Sequence, residues 1–175
     1  MTLMLRPAVA GDLRAIGALH QRSRSAAYRD FLPAEALAAV SAETMGEYWT
    51  ERWSWERDSH LLTVAERDGR LVGFSYVGPH DPEEPDSAGP DVGELYAIHL
   101  DPAEQGRGTG RALMVDALAT FRLRGWRRAV LWVLAQNTHA RDFYARGGWR
   151  PDGVEREGDI GPAPTWQVRY VRPVP

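Results

Sequence analysis

Apolar residues recur along the chain in short blocks whose spacing separates strands from helices. Leu3-Met4-Leu5 predicts a strand, and Asp12 stands as the N-cap of a helix running toward Tyr28, with Leu13, Ile16 and Leu19 on its buried face. Pro33 opens further helical sequence. Glu35 to Arg57 is helical in character, is expected to break at Gly46, and carries Trp49, Trp53 and Trp55. The run Leu61 to Ala65 and the alternating run Leu71 to Val77 flank Arg67-Asp68-Gly69-Arg70, and Asp-Gly between two strand signals predicts a hairpin.

The pattern breaks from His80 to Gly93. Pro82, Pro85 and Pro90 fall here, and the six carboxylates from Asp81 to Glu94 have no arginine among them, so a loop is expected. A strand from Glu94 to Leu100 ends at Asp101-Pro102 and feeds the turn Gln105-Gly106-Arg107-Gly108-Thr109-Gly110. The helix after it runs to about Arg124: Leu113, Ala117, Thr120 and Phe121 lie one above another, Met114 and Leu118 lie beside them, and Gly125 sits at C′. Ala129 to Ala135 is continuously apolar, as in a strand covered on both faces. Strand, helix and strand in this order form a βαβ unit, so the Glu94 and Ala129 strands are expected to be parallel. Thr138 to Arg146 predicts a short helix closed by Gly147-Gly148, and Trp149 to Arg156 with Thr165 to Val171 a final strand pair. No repeat or linker divides the chain, so one domain over residues 1–175 is expected.

Composition narrows the chemistry. The 175 residues carry 21 basic and 24 acidic side chains, a formal charge of −3, and there is no cysteine. There is also no lysine, so every basic residue is arginine. Without cysteine there are no disulfides, thiolate zinc sites, iron–sulfur ligands or thiol nucleophile. Without lysine there is no Walker-type phosphate loop, Schiff base or lysine general base. The five histidines are scattered without ligand spacing, and no metal is expected. Arg122 to Arg128 is a local basic group in an acidic chain without an aromatic-basic platform, which argues against nucleic acid. Met1 to Leu5 is too short for a signal peptide, and the seven apolar residues Ala129 to Ala135 fall far below a membrane span; a cytoplasmic location without membrane contact is expected.

A strand feeding a glycine-spaced turn that opens a helix is suited to an anion, because backbone N–H groups converge there with the positive end of the helix dipole. A dinucleotide fingerprint requires glycine three residues after Gly108, where Arg111 stands. What remains is Gln-x-x-Gly-x-Gly. Here the sequence resembles the GCN5-related N-acetyltransferase (GNAT) superfamily over nearly its whole length. The resemblance rests on Leu5-Arg6-Pro7-Ala8 with Asp12, the strand Glu94 to Leu100, the turn Gln105 to Gly110, and Asn137-Thr138-His139-Ala140-Arg141-Asp142-Phe143-Tyr144 running into Gly147-Gly148-Trp149, with tryptophan where the family has phenylalanine.

The resemblance implies an α/β (α+β) fold. Its single mixed, mostly antiparallel twisted sheet has about six to seven strands flanked by about four helices, and a central parallel pair is joined by the helix after the turn. It implies acetyl-coenzyme A as co-substrate, with Ile98, His99 and Leu100 along the pantetheine arm. Gln105, Gly106, Arg107, Gly108, Thr109, Gly110 and Arg111 would hold the diphosphate, and Asn137 would bond near the thiol. Arg107 and Arg111 either add charge to the phosphates or remain solvated. His99, on the strand face opposite Glu94 if the strand is regular, is a packing or cofactor-backbone position.

Acetyl transfer to an amine requires a neutral amine. One of pKa ~10.4 is neutral in only about one part in 10³ at pH 7, a penalty of about 4 kcal/mol, so a base matters. Glu94 is the candidate base, directly or through water, eleven residues before Gln105, where the resemblance to the histone acetyltransferase branch puts it. Tyr144 is the candidate acid toward the coenzyme sulfur, protonated at pH 7 and matching the family tyrosine. With no cysteine to hold the acetyl group, direct transfer in a ternary complex is expected. Tyr28, Phe31, Glu94 and Tyr96, with the Trp49 to Trp55 segment and the acidic loop, would wall the acceptor site. That loop either attracts a cationic amine of a small molecule or peptide, or is simply solvated. A coenzyme A-binding sensor without turnover is the alternative on the same fold, and a homodimer is a further expectation from the family.

Overall fold

The computed structural model describes residues 2–81, 83–84, 91–160 and 163–175. The strands are β1 (Leu3–Pro7), β2 (Leu61–Arg67), β3 (Arg70–Pro79), β4 (Val92–Leu100), β5 (Arg128–Leu134), β6 (Arg150–Ile160) and β7 (Ala163–Pro173). The helices are α1 (Leu13–Tyr28), α2 (Ala34–Ala38), α3 (Ala42–Glu56), α4 (Thr109–Leu123) and α5 (Thr138–Arg146). One seven-stranded sheet runs β1-β2-β3-β4-β5-β7-β6, antiparallel everywhere except between β4 and β5. The mixed sheet expected from the sequence is therefore present, with five α-helices among the described residues where about four were anticipated.

Helices cover both faces. Leu13, Ile16 and Leu19 of α1, with Met45 and Trp49 of α3, bury against Leu62, Val64, Phe74 and Tyr76. On the other face Met114, Ala117, Leu118 and Phe121 of α4 pack with Leu95, Leu131, Val133, Tyr144 and Trp149. The β2–β3 hairpin turns through Asp68 at φ 52° and Gly69 at φ 73°, the paired positive angles that Asp-Gly favours. No helix among the described residues is long and apolar enough to cross a membrane.

Three local expectations are corrected. Gly46 does not break the second helical stretch. The break falls before α3, which Ser41 caps by accepting from the Thr44 N–H at 3.0 Å. Gly46 instead lies where α1 and α3 touch: a Cβ on Gly17 would come within 2.3 Å of the Gly46 nitrogen, so glycine permits the close crossing. Asp12 precedes α1 but does not cap it through its side chain. Its carboxylate turns back to the Val9 N–H at 2.8 Å and to Arg6 at 2.7 Å, closing a short 3-10 turn. The tryptophans also part company, because positions four apart share a helix face and positions two apart do not. Trp49 is core, Trp53 packs at its margin and Trp55 is 82% exposed.

The central pair β4–β5 is parallel as expected, but for three residues only: Val92, Gly93 and Glu94 pair with Arg128, Ala129 and Val130. Beyond Glu94, β4 keeps its bonds to β3 and β5 keeps its bonds to β7, so the facing edges run on without a strand partner. Within β4 the register steps from Val77↔Leu95 to Tyr76↔Ala97, leaving Tyr96 as a bulge. The bulge flips the alternation. Leu95 and Ile98 both pack on the α4 side, Tyr96 and Ala97 both on the α1–α3 side. His99 thus shares the Glu94 face, against the expectation for a regular strand.

Replacing Gly17 with alanine should lower the unfolding free energy by about 1–3 kcal/mol, the usual cost of overpacking. Urea denaturation checks this against Gly11→Ala, where an added Cβ meets nothing within 4 Å.

Candidate active site

The glycine turn follows a 3-10 segment, Pro102–Glu104, capped by the Asp101 carboxylate on the Ala103 N–H at 3.1 Å. Gly106 and Gly108 sit at φ 75° and 83°, angles costly for residues with a Cβ, and a Cβ at either would meet nothing within 4 Å. Gly108 is the N-cap of α4 and offers no side-chain cap, so the first N–H groups of the helix are free for an anion. Beneath the turn lies Glu104, buried. It accepts from Arg67 Nε at 3.1 Å, Thr109 Oγ1 at 2.9 Å and Arg107 Nη1 at 2.9 Å. Arg107 is therefore drawn to Glu104, while Arg111 is exposed. Thr109 is fully buried, its hydroxyl held between Glu104 and Arg67. Gly110 lets Leu100 and Phe143 approach to within 3.3 and 3.5 Å of where a Cβ would be, bringing β4, α4 and α5 together.

Asn137 is the N-cap of α5 and spends its Oδ1 on the Ala140 N–H at 3.1 Å, so only its amide NH₂ remains for a ligand. Tyr144 is buried on α5 with ring contacts to Phe143, Trp149 and Tyr170 at 5.5, 6.3 and 6.4 Å. Burial first, and Tyr28 second, push its phenol well above the ordinary tyrosine range. Tyr28, at the end of α1, contacts Phe31 at 5.3 Å. Arg24 lies one turn before it, 5% exposed, its Nη1 without a partner among the described residues, and desolvation lowers its pKa.

On the α1–α3 side, Glu94 and Tyr96 open onto a cavity of about 510 Å³ shared with Arg52, Glu56, His80, Glu84 and Arg156. Glu94 is buried and its Oε2 lies 2.8 Å from His80 Nδ1. The Tyr96 hydroxyl donates to the Pro79 carbonyl at 2.6 Å, and its ring lies 4.9 Å from the Arg52 guanidinium. Glu56 accepts from Arg52 Nε at 2.7 Å and from the Tyr76 hydroxyl. Arg156 pairs with Glu84 and lies 4.1 Å over the Trp132 ring, whose Nε1 also donates to Glu84 at 3.1 Å. Of the acidic loop, Asp86 lies outside the described residues. Its described part is not simply solvated, since Glu84 is tied to β5 and β6.

The residues expected to wall the acceptor thus fall into two groups: Glu94 and Tyr96 line this cavity, whereas Tyr28 has Phe31 and Tyr144 as its neighbours. His80 and Arg24 were missed. His80 meets Glu94 only because β3 and β4 pair across the loop, with Pro79 opposite Gly93, a relation local spacing does not reveal. His99 is a packing position. Its Nδ1 lies 3.1 Å from Ser23 Oγ, its ring is 4.1 Å from His20 and 5.4 Å from Phe74, and desolvation holds its pKa well below the usual value. His20 accepts from Trp49 Nε1 at 3.0 Å and is pushed down to about 4, by desolvation first and Arg24 second.

The model of the acetyltransferase (GNAT) family matches residues 25–149. The chain belongs to this family. The family expected from the sequence is thereby shown. Curated relatives include mycothiol acetyltransferases of Cellulomonas flavigena, 40% identical over 63% of this chain and 32% of the relative, and of Beutenbergia cavernae, 42% identical over 75% and 41%. The chain therefore spans a third to under a half of the length of these relatives. Among solved structures, a GCN5-related N-acetyltransferase from Rhodopseudomonas palustris superposes with a TM-score of 0.77 at 19% identity, covering 99% of this chain and 96% of that one. A PaiA N-acetyltransferase from Thermoplasma acidophilum, solved with coenzyme A, gives 0.72 at 18% identity over 97% and 98%. At those identities the superpositions establish the GNAT fold.

Two predictions follow from the buried polar groups of this GNAT domain. Glu104→Ala strands Arg67 and Thr109 and should cost about 3 kcal/mol of stability, read by urea unfolding. The paired rings of His20 and His99 are neutral when folded, whereas the unfolded chain protonates them near pH 6.5. Unfolding free energy should therefore fall by up to about 1.4 kcal/mol per pH unit for each ring as pH drops from about 6.5 toward 4. His99→Gln should make that slope shallower, as measured by chemical denaturation across the range.

Proposed function

We propose that the chain transfers an acetyl group from acetyl-coenzyme A directly to a primary amine of a small molecule or peptide. The observation that carries this reading is the early end of the β4–β5 pairing. The free edge of β4 runs from the Glu94 cavity at one end toward the anion turn at the other, so one extended ligand would reach both. In this reading the backbone from Gln105 to Arg111 holds the diphosphate, and the free edge at Ile98, His99 and Leu100 hydrogen-bonds the pantetheine. The Asn137 amide lies near the thiol end. Because Glu104 engages Arg107, Arg111 is the better source of added positive charge.

The acceptor amine loses a proton at the Glu94 end and attacks the thioester carbonyl. The C–S bond breaks, and the thiolate takes a proton from the Tyr144 hydroxyl. A phenol raised by burial remains protonated and able to donate at neutral pH. Tyr96 shapes the acceptor cavity, and Tyr28 and Phe31 wall the Tyr144 end. The relatives named mycothiol acetyltransferase support a small-molecule acceptor. Their greater length leaves mycothiol itself as one compound to test.

Calorimetry with acetyl-coenzyme A, followed by thiol release with spermidine, an aminoglycoside, a basic peptide and mycothiol-type amines, tests the reading. Absence of binding by folded protein overturns it, and binding without thiol release leaves a sensor. Tyr144→Phe should lower kcat by ~10- to 10³-fold with acetyl-coenzyme A affinity little changed; unchanged turnover removes Tyr144 from the mechanism.

A further inference from the structure

Glu94 does not meet the cavity alone. The His80 N–H donates to the Val92 carbonyl at 3.0 Å, which sets the residue beside the start of β4. Its side chain is 2% exposed, that of Glu94 5%, and His80 Nδ1 lies 2.8 Å from Glu94 Oε2. A carboxylate accepts, so the imidazole proton sits on Nδ1 and the lone pair on Nε2. That Nε2 is buried and has no hydrogen-bond partner among the described residues. Glu84 Oε2 lies 3.9 Å from it, itself an acceptor and too distant to bond. Glu84 cannot swing away freely, because Trp132 Nε1 and Arg156 hold it.

This buried lone pair has no partner among the described residues, and both His80 and Glu84 line the cavity. What completes such a pair is a cationic N–H donor. A nitrogen about 2.9 Å from each acceptor would bridge a separation of 3.9 Å. We propose that the primary ammonium of the acceptor docks between His80 Nε2 and Glu84 Oε2, and that His80 rather than Glu94 takes its proton, with Glu94 positioning the imidazole.

This rests on the acetyltransferase reading and assigns its base and its ammonium subsite. The ammonium gives one proton to Nε2, leaving an imidazolium flanked by Glu94 and Glu84. The neutral amine forms the C–N bond, the C–S bond breaks, and the second nitrogen proton replaces the one Tyr144 gives the thiolate. The imidazolium proton then passes to solvent.

The test compares His80→Gln with the unchanged protein, using the amine of the panel above that releases thiol fastest and, separately, hydroxylamine, which is mostly neutral at pH 7. With the ammonium acceptor, kcat should fall by ~10²- to 10³-fold while acetyl-coenzyme A affinity stays within about two-fold. The loss with hydroxylamine should be at least about ten-fold smaller, because a neutral nucleophile needs no prior deprotonation. Equal losses with both acceptors, or retained activity, overturn the assignment. Nitrogen-15 NMR of the unchanged protein gives a second readout independent of folding of the variant: a His80 proton on Nε2 with Nδ1 bare also overturns it. If no amine releases thiol with the unchanged protein, the acetyltransferase reading fails first, an outcome distinct from the failure of His80.

Discussion

A parallel strand pair that ends after three residues governs this molecule. Had β4 and β5 continued in register, every backbone group of the central sheet would be paired and there would be no edge for a ligand. The interruption is tolerable because each strand is still held on its other side, β4 by β3 and β5 by β7, and because α4 packs over the junction. Buried backbone donors and acceptors are costly to leave unmade. An open edge within a sheet core is consistent with a bound chain of amides completing it. The Tyr96 bulge works with the interruption: it turns Glu94, Tyr96, Ala97 and His99 onto the α1–α3 side and Leu95 and Ile98 onto the α4 side, so the acidic end opens into a cavity while the apolar residues stay in the core.

The two ends of the edge handle buried polarity in opposite ways. At the glycine turn, Glu104 accepts from three donors, Arg67, Arg107 and Thr109, and the start of α4 above it has no side-chain cap. A satisfied network fixes the conformation of a loop whose glycines would otherwise leave it floppy. At the cavity, His80 Nε2 has no partner among the described residues. Satisfaction beneath a binding surface and incompleteness within it are what a preorganised site requires.

Much of this was legible from local spacing. The Asp68-Gly69 turn, the glycine turn opening α4, the βαβ crossover and α5 all follow from short-range backbone preferences. The misreadings came where tertiary contact decides. Gly46 looks like a helix breaker, but it sits inside α3 where the bare Cα of Gly17 lets α1 press against the Gly46 backbone. The bulge at Tyr96 leaves no mark in a strand of ordinary composition, so the side of His99 could not be inferred by alternation. Arg107 looks free beside an anion turn until Glu104 is found beneath it. His80 appears as the first residue of a proline-rich loop, and only the antiparallel register of β3 on β4 brings it to Glu94.

Charge offers the final step. From the sequence, six carboxylates between Asp81 and Glu94 with no arginine among them suggest an attracting patch. In three dimensions the cations come from elsewhere: Arg156 of β6 neutralises Glu84, and Arg52 of α3 neutralises Glu56 while lying 4.8 Å from the Tyr76 ring. Planar guanidinium groups suit both tasks, because they stack on an aromatic face and bond a carboxylate in the same pose. Glu56 stands outside that loop, so it is at Glu84 that pairing weakens long-range attraction and leaves short-range geometry to decide. In the proposed reading an amine is recognised less by the loop's net charge than by whether its N–H groups reach His80 Nε2 and the tethered oxygen of Glu84 together.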